Sequence, residues 1–560
     1  MSSFDIDVLV VGSGPSGLVA AIVLAQSGVS VRIIEKLSEY PVGQRGSGIM
    51  PRTLETYHFL GVLDEVKNVG MSPPDFQEWV EGKPTKTFPI MPHQEATPAF
   101  PERNPMFLGQ DAACRILRDR LSTYNVQVEL STEFFRLDQG EGHVVADVIQ
   151  RQGGNEVQQQ ITAKYVIGAD GAKGIVHKLL NLSLLGETRE ETHILVGEVE
   201  AFGIDAEHWH WFKSGGVPPD GCMLRPTDRT ATENIFSITC FGVGFDIGKA
   251  LEDYEYLRQF AYGVAQIPAL KIGKVETAVD YRPNIRVVNK LSEGRVFIVG
   301  DAGHVHSPSG GQGMNSSIMD SFNLAWKIAL ACKGLASDKL LDSYNEERLP
   351  VIKEMLLRTT AILDDTIATS KTKGGATWKR SAKMNQLSIH YRWSPIVVDE
   401  EVEKLHSTDK AQAEAETGST YDVQDGDRLH AGDRAPDAPD LVDVKTGEAK
   451  RLFNVFGPAW HTILIFADGD DKTSGTPIME WLSRYPKELV RTVVVRSQSS
   501  SSDAAGADLV LQDKEGHAYS AYGAALTSSG VAIVRPDSVV GALVEGRDGV
   551  EKYFSRVFGV

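Results

Sequence analysis

The chain is poor in cysteine. Four of its 560 residues are Cys, and no two of them lie close together in the sequence: Cys114, Cys222, Cys240 and Cys332. Disulfide frameworks and metal clusters are typically built from closely spaced cysteines, so this pattern predicts neither a disulfide-stabilised fold nor a bound metal. We therefore expect a cytoplasmic protein.

Long apolar runs are also missing. No uninterrupted run approaches the ~20 residues that a membrane-spanning helix needs. The segment from Val8 to Ala25 is apolar, but glycines and a proline interrupt it, and two aspartates precede it without any Lys or Arg. This is not the pattern of a secretory leader, and we expect a glycine-punctuated strand and helix there instead.

Positive charge is in deficit. The chain has 57 Lys and Arg against 75 Asp and Glu, which gives a formal net charge of −18. This balance argues against nucleic acid or an anionic membrane as a main partner. The length predicts about three or four domains with large cores.

The N-terminus has the pattern of a dinucleotide-binding unit. An apolar strand, Val8–Val11, leads into a glycine-rich turn, then a helix to Gln26 and a second strand, Val31–Ile34. Such a turn lets the backbone approach a pyrophosphate, and an acid at the tip of the second strand accepts hydrogen bonds from a ribose diol. The predicted cofactor-binding residues here are Gly12, Ser13, Gly14, Pro15, Ser16, Gly17, Glu35 and Lys36.

A second glycine-rich segment, residues 41–60, contains Arg45 and Gly46. An arginine inside such a loop is well placed to meet a phosphate or an electron-rich ring. Farther along, Gln110 begins an amphipathic stretch that predicts a helix to Tyr124.

Residues 294–330 predict a further anion-binding site. A buried strand, Val296–Val299, breaks at Gly300 and Asp301, and after a loop of Gly, Ser, Pro and His a helix begins near Gly313. Free backbone N–H groups and the positive end of a helix dipole meet in such an arrangement. Because the chain begins with a second site of this kind, one cofactor can satisfy both. We expect the two histidines of the loop, at 304 and 306, to be structural.

Three motifs resemble those of the group A, single-component FAD-dependent aromatic hydroxylases. They are GSGPSG with Glu35, the segment YVIGADGAKGIVHKLL, and the segment GRVFIVGDAGHVHSPSGGQGMN. The resemblance covers roughly residues 1–400. Residues 436–560 resemble the thioredoxin-like appendage of the phenol-hydroxylase branch, but they contain no cysteine, so disulfide exchange is excluded there.

The resemblance implies an α/β fold with three domains. A Rossmann-like FAD-binding domain of the p-hydroxybenzoate hydroxylase type would take residues 1–74, 106–186 and 282–400. An interleaved mixed-sheet substrate domain would take residues 75–105 and 187–281. A linker, 401–435, would lead to the thioredoxin-like domain, 436–560.

The resemblance also implies roles for individual residues. The N-terminal turn and Glu35 would hold the ADP half of a tightly bound FAD, and Arg45 and Gln110 its ribityl and pyrophosphate region. Asp301 would bind the ribityl chain, and Asp170 would act in both nicotinamide and FAD binding. The remaining implied cofactor contacts lie in the loop and helix that follow: Pro308, Gly311, Gly313, Met314 and Asn315.

The implied activity is hydroxylation of a phenolic, and by extension polycyclic or polyketide, aromatic substrate. NADPH, with NADH as the alternative, would bind transiently and reduce FAD, and O2 would then form a flavin C4a-hydroperoxide. Baeyer–Villiger insertion or epoxidation would use the same fold. A halogenase is a further alternative, based on Trp209-His210-Trp211. A homodimer is compatible with all of these.

The resemblance leaves the catalytic residues to be chosen from the substrate lobe. His210 and Tyr281, both in the substrate lobe, are the candidates. Simple phenol hydroxylases have an aspartate where Ser47 stands, which argues for a larger aromatic substrate than a simple phenol.

Overall fold

The computed structural model describes residues 4–189, 193–216, 219–307, 310–373, 382–408, 420–421, 428–467, 475–498, 506–523 and 530–559. For residues 366–373, 382–383 and 406–408 it describes the backbone alone. No helix in these ranges is both long and apolar enough to cross a membrane.

The first sheet has eight strands. Six follow one another in the order Ser292–Glu293, Val296–Ile298, Asn155–Gly168, Ile6–Val11, Val31–Ile34 and Val128–Glu129, and the strands Thr132–Gly140 and His143–Gln152 extend it from Asn155–Gly168. Its central strands are parallel. Gly12, Glu35, Asp170 and Asp301 each come just after the carboxyl end of one of these strands, so they lie along one edge of the sheet.

Helices and two small sheets surround the first sheet. The helices are Pro15–Gln26, Pro51–Leu60, Leu63–Val69, Gln110–Ser122, Val176–Leu179, Gly313–Cys332 (the central helix) and Asp338–Lys373 (the long helix), with a 3₁₀ turn at Gly300–Ala302. The small sheets are Leu184–Thr188 with Asn284–Val288 and His304–Val305, and Gly48–Ile49 with Met106–Phe107. The central helix packs against the N-terminal helix, and this brings the two predicted anion-binding sites together.

The second sheet has seven strands and two differently packed faces. Its order is Lys271–Tyr281, Ile194–Phe202, Ile235–Phe241, Gly221–Pro226, His208–Lys213, Asp75–Val80 and Lys83–Phe88. One face packs on Ile247–Glu252 and Tyr254–Ala265, whereas the other carries Phe76 and Trp211 with Phe107 of the small sheet. The helix Thr230–Glu233 connects the strand Gly221–Pro226 to the strand Ile235–Phe241 in the chain. The second face therefore points toward the glycine-rich segment 43–48.

The third sheet is mixed and has eight strands. Its order is Val398–Asp399, Val540–Glu545, Gly530–Val534, His461–Ala467, Val490–Arg496, Leu509–Asp513, Leu441–Asp443 and Ala449–Lys450. The accompanying helices are Glu400–Thr408, Thr476–Leu482, His517–Tyr522 and Gly546–Val557, with 3₁₀ turns at Ala382–Asn385 and Leu452–Asn454. One continuous apolar core joins this sheet to the first.

Buried ion pairs also join the first and third sheets. Glu347 of the long helix contacts Arg535 at 2.7 Å and Lys327 of the central helix at 2.8 Å, and all three side chains are fully buried. Arg434 and Glu55 form a further pair across this interface. The C-terminal unit is therefore packed directly under the helices that position the site.

Two of these elements are long. The helix Asp338–Lys373 is one element that contains Pro350. The strand Asn155–Gly168 has 14 residues. Cys222 and Cys240, far apart in sequence, are direct neighbours on adjacent antiparallel strands.

Candidate active site

The glycines of the N-terminal turn have different roles. Gly12 has φ +104°, and a Cβ there would lie 2.3 Å from the carbonyl oxygen of Ala169; at Gly17 a Cβ would lie 2.0 Å from the Gly12 oxygen. Around Gly14, by contrast, no atom of the described residues lies within 4 Å of a Cβ position. Gly12 and Gly17 thus allow close backbone packing, and Gly14 borders open space beside a helix N-terminus.

The N-terminus of that helix has no side-chain cap. Among the described residues no side chain caps Pro15–Gln26, and its first turn has no acidic residue. Glu35 instead holds the turn before it, since its Oε2 accepts hydrogen bonds from Ser13 N at 3.0 Å and Ser13 Oγ at 3.1 Å. Lys36, next to it, is exposed. The free N–H groups and the dipole make this end suitable for a pyrophosphate.

Asp301 is presented by a buried scaffold. It is exposed on the turn Gly300–Ala302. Beneath it, Asp320 Oδ2 accepts the Gly300 N–H at 3.0 Å and lies 2.7 Å from His304 Nε2, while Arg348 Nε donates to Oδ1 at 2.8 Å. These three side chains are fully buried, and their hydrogen bonds fix the position of the 3₁₀ turn. Asp301 itself remains exposed on that turn.

The N-terminus of the central helix meets the segment 43–48. Within the described ranges no side chain caps this helix, and its first turn has no acidic residue. A Cβ at Gly46 would lie 3.4 Å from both Gln110 Oε1 and Met314 Cβ. Asn315 ties the two parts together, because its Nδ2 donates to Gly48 O at 2.8 Å and its Oδ1 accepts from Met50 N at the same distance.

Other predicted residues surround this junction. Arg45 is exposed and has φ +37°, an uncommon conformation for a residue other than glycine. The ring of His306 lies against Gly313, where a Cβ would be 2.1 Å from Nε2. Gly311 has φ +64° in the loop that leads into the helix. Pro308 lies outside the described residues.

Asp170 organises its own turn beside Gly12. Its Oδ2 accepts hydrogen bonds from Ile175 N at 2.6 Å and Val176 N at 3.0 Å. Burial raises the pKa of this carboxyl, and these backbone hydrogen bonds oppose the rise. Its Oδ1 is buried with no hydrogen-bond partner among the described residues. The side chain therefore keeps one acceptor next to the glycine-rich turn.

The two catalytic candidates lie in different places. Tyr281 lies near Asp301; its hydroxyl donates to His306 O at 3.4 Å, and burial together with the Asp301 charge raises its pKa to about 12. His210 is fully buried, with Trp79 Nε1 donating to its Nδ1 at 3.2 Å and its Nε2 lying 3.0 Å from Asp205 O.

His210 also stacks on Phe212, which belongs to the helix-covered face of the second sheet. The structure therefore does not bring His210 to the junction.

Sequence reasoning missed the supporting charges. Asp320 was hidden in an apolar helical pattern, and Arg348 lies 28 residues farther along the chain. The sequence contains one signal for this pair. Asp320 is a carboxylate in a helix whose pattern is otherwise typical of a buried one, and a buried charge requires a partner.

The residues present fit an FAD molecule. Two uncapped helix N-termini, the open space at Gly14 and the outward Asp301 supply donors, room and a hydroxyl acceptor in one continuous region. No group of three His, Cys, Asp or Glu side chains in the described ranges could hold a metal ion.

Known proteins share this organisation. A family model described as "FAD binding domain" matches residues 5–359. A "flavin-dependent monooxygenase" of Mycobacteroides abscessus is 27% identical, over 98% of this chain and 99% of that protein. A pentachlorophenol 4-monooxygenase of Sphingobium chlorophenolicum is 28% identical, over 90% and 88%.

The fold is also similar to a solved structure. The crystal structure of a ternary complex of aklavinone-11 hydroxylase with FAD and aklavinone superposes with a TM-score of 0.78, at 23% identity and over 99% of both chains. The chain therefore belongs to the FAD-dependent aromatic hydroxylase family.

Removing the Asp301 carboxylate tests its predicted role. We expect Asp301→Ala to lose FAD on purification, because this exposed carboxylate is the predicted acceptor for the ribityl hydroxyls and forms no ion pair among the described residues. Ser47→Ala is the control and is expected to retain FAD. Flavin absorbance per protein, with thermal unfolding of the apo form, measures both. A fully loaded Asp301→Ala protein would contradict this role.

Proposed function

We propose that this protein hydroxylates a phenolic or polycyclic aromatic substrate, with FAD as its cofactor, O2 as the oxygen source and NADPH or NADH as the reductant. The observation that carries the proposal is the meeting of two uncapped helix N-termini with Asp301 at one sheet edge. The names of the relatives support the substrate class, since pentachlorophenol is a phenol and aklavinone is a polycyclic aromatic compound.

Each end of the cofactor would have its own partners. The N-terminal turn and Glu35 would hold the ADP half, and Asp301 the ribityl chain. The N–H groups at Gly313 and Met314 would lie against the ring, where a helix N-terminus stabilises the negative charge of the reduced form. When bound, FAD would supply the activation of O2 for transfer to an aromatic ring.

The protein's own contribution would be positioning and exclusion of water. Gln110 and Asn315 would hold the segment 43–48 beside the ring, since their amides already bind Gly46 and Gly48. The second sheet would cover the remaining face with its aromatic side chains. A closed, dry site protects a reactive oxygen species from loss to water.

The nicotinamide cofactor would bind transiently. Among the described residues the first sheet provides one glycine-rich turn of the dinucleotide type, and we assign that turn to FAD.

The proposal includes the three-domain division, with residues 75–105 and 187–281 as the substrate domain and residues 436–560 as the thioredoxin-like domain. It also includes a cytoplasmic location and a homodimeric arrangement.

Aromatic stimulation of reductant consumption tests the proposal. We expect the purified, yellow protein to oxidise NADPH slowly alone and about tenfold or more faster with a suitable phenol or hydroxyanthraquinone, since bound aromatic substrate completes the site. Absorbance of NADPH gives the rate, and mass spectrometry gives the product. Consumption that depends on halide and yields a halogenated product would contradict hydroxylation.

A further inference from the structure

Arg225 is a buried cation between the second sheet and the segment 43–48. It lies on the strand Gly221–Pro226 and is 6% exposed. Its guanidinium carbon is 4.8 Å from the ring centroid of Phe107 and 5.6 Å from that of Trp209. The charge is thus flanked by two aromatic rings on the sheet face that points toward the junction.

The hydrogen bonds of Arg225 go to neutral groups. Nη2 donates to Ser47 Oγ at 2.9 Å and, more weakly, to Gln44 Oε1 at 3.5 Å, while Nη1 donates to Pro226 O at 3.1 Å. Nε donates to no acceptor in the described part of the chain. A guanidinium has five N–H donors, so two remain for another acceptor.

The neighbouring carboxylates are committed elsewhere. Asp228 Oδ1 accepts from Gln44 Nε2 at 2.7 Å and from Gly109 N at 3.1 Å. Glu198 Oε1 accepts from Gln44 N at 2.6 Å. Neither forms an ion pair with Arg225 within the described ranges. Both act at longer range on its charge.

An unpaired buried cation is costly. Burial lowers the pKa of Arg225 to about 10, which leaves the group charged at neutral pH. A charge held in this way without a buried counterion is expected where a ligand supplies the opposite charge. A second donor points the same way, since Trp209 Nε1 is buried without a hydrogen-bond partner among the described residues.

The position of Arg225 connects it to the predicted ring site. Its partner Ser47 lies between Gly46, which meets Gln110 and Met314, and Gly48, which is held by Asn315. The guanidinium therefore contacts, through Ser47, the segment that meets the N-terminus of the central helix.

We propose that Arg225 binds the ionised hydroxyl oxygen of the aromatic substrate. This inference rests on the proposed function and names how that site selects its substrate. The phenol would release its proton to water on binding, and the guanidinium would stay protonated and donate charge-assisted hydrogen bonds to the oxygen. Phe107 and Trp209 would contact the substrate ring. An ionised hydroxyl enriches the ring in electrons, which favours attack on an electrophilic oxygen.

The test compares two probes of similar shape: 4-nitrophenol, at a pH where it is ionised, and its neutral methyl ether, 4-nitroanisole. Binding to the FAD-loaded protein is measured by equilibrium dialysis. We expect the wild type to prefer the phenolate, and Arg225→Met to lose about tenfold or more of that preference. Arg225→Lys should keep part of it, since a lysine retains the charge without the planar fork.

Arg258→Met is the matched control. Arg258 lies on the helix-covered side of the same sheet, where its Nη2 donates to Gly273 O at 2.8 Å, so the preference should not change. An Arg225→Met protein with the wild-type preference would overturn the proposal. A wild type that binds neither probe, or both equally, would also overturn it.

The ratio of the two affinities is independent of any overall loss of folded protein. The assay needs no turnover, so a failure of the proposed hydroxylation leaves the result readable. Conversely, hydroxylation that persists without the anion preference would refute the role of Arg225 alone.

Discussion

Glu347→Leu is expected to destabilise the protein by about 3–5 kcal/mol, the usual cost of breaking a buried ion pair by removing one partner. The substitution leaves Lys327 and Arg535 as buried cations without their shared carboxylate. It also removes the acceptor of Asn323 Nδ2 and Ser394 Oγ, both at 2.6 Å. Thermal and urea unfolding measure the effect.

Glu346→Leu is the control, because Glu346 is the exposed neighbour on the same helix. Burial opposes ionisation of Glu347, but the charges of Arg535 and Lys327 outweigh it and hold its pKa well below the usual range. This contribution to stability is present above the ordinary carboxyl pKa and is lost as the pH falls through the lowered one. Equal unfolding free energies for the two variants would refute the role of this cluster.

Gly14→Val is expected to abolish FAD binding while leaving the apo fold intact. Gly14 has φ −68° and ψ 179°, which valine adopts readily, and no atom in the described part of the chain lies within 4 Å of its Cβ position. The side chain would fill the open space that we assign to the pyrophosphate. The fold itself should lose no more than about 1 kcal/mol, from the poorer helix cap.

Gly17→Val is the comparison variant, because it distinguishes loss of FAD binding alone from loss of folding. At Gly17 a Cβ would lie 2.0 Å from the Gly12 oxygen, so that variant should fail to fold as well as fail to bind. Circular dichroism and flavin absorbance distinguish the two outcomes. A Gly14→Val protein that purifies yellow and fully loaded would show that the pyrophosphate lies elsewhere.

The parts of the site that the sequence predicted are local. Gly12, Gly14 and Glu35 lie within one strand–turn–helix–strand unit, whose spacing alone places them at a parallel sheet edge. Asp301 follows a buried strand in the same way. Each of these predictions needed a window of a few dozen residues, and the structure places all of them at the expected edge.

The parts that were missed depend on distant contacts. Arg225 meets Ser47 across 178 residues, and Arg434 meets Glu55 across 379. Neither pair has a local pattern, because the approach results from packing between sheets. His210, a catalytic candidate from the sequence, shows the converse, because the alternation of side chains along its strand puts it on the helix-covered face.

The C-terminal unit, residues 436–560, contributes structural support to the site although it contains no cysteine. Arg535 and Asp537 pack on the central and long helices, and Arg52 Nη2 donates to Asp537 O at 3.1 Å. Arg52 belongs to the helix that follows the segment 43–48. The unit therefore stabilises the elements that carry the site.

The most direct measurement follows the oxygen atom. The FAD-loaded protein is supplied with NADPH, a phenol that stimulates its oxidation, and isotopically labelled O2, and the product is examined by mass spectrometry. The account predicts one labelled oxygen atom on the aromatic ring per molecule of product, with the second atom released as water. Product oxygen that comes from water, or O2 that is converted wholly to peroxide with the aromatic compound unchanged, would contradict it.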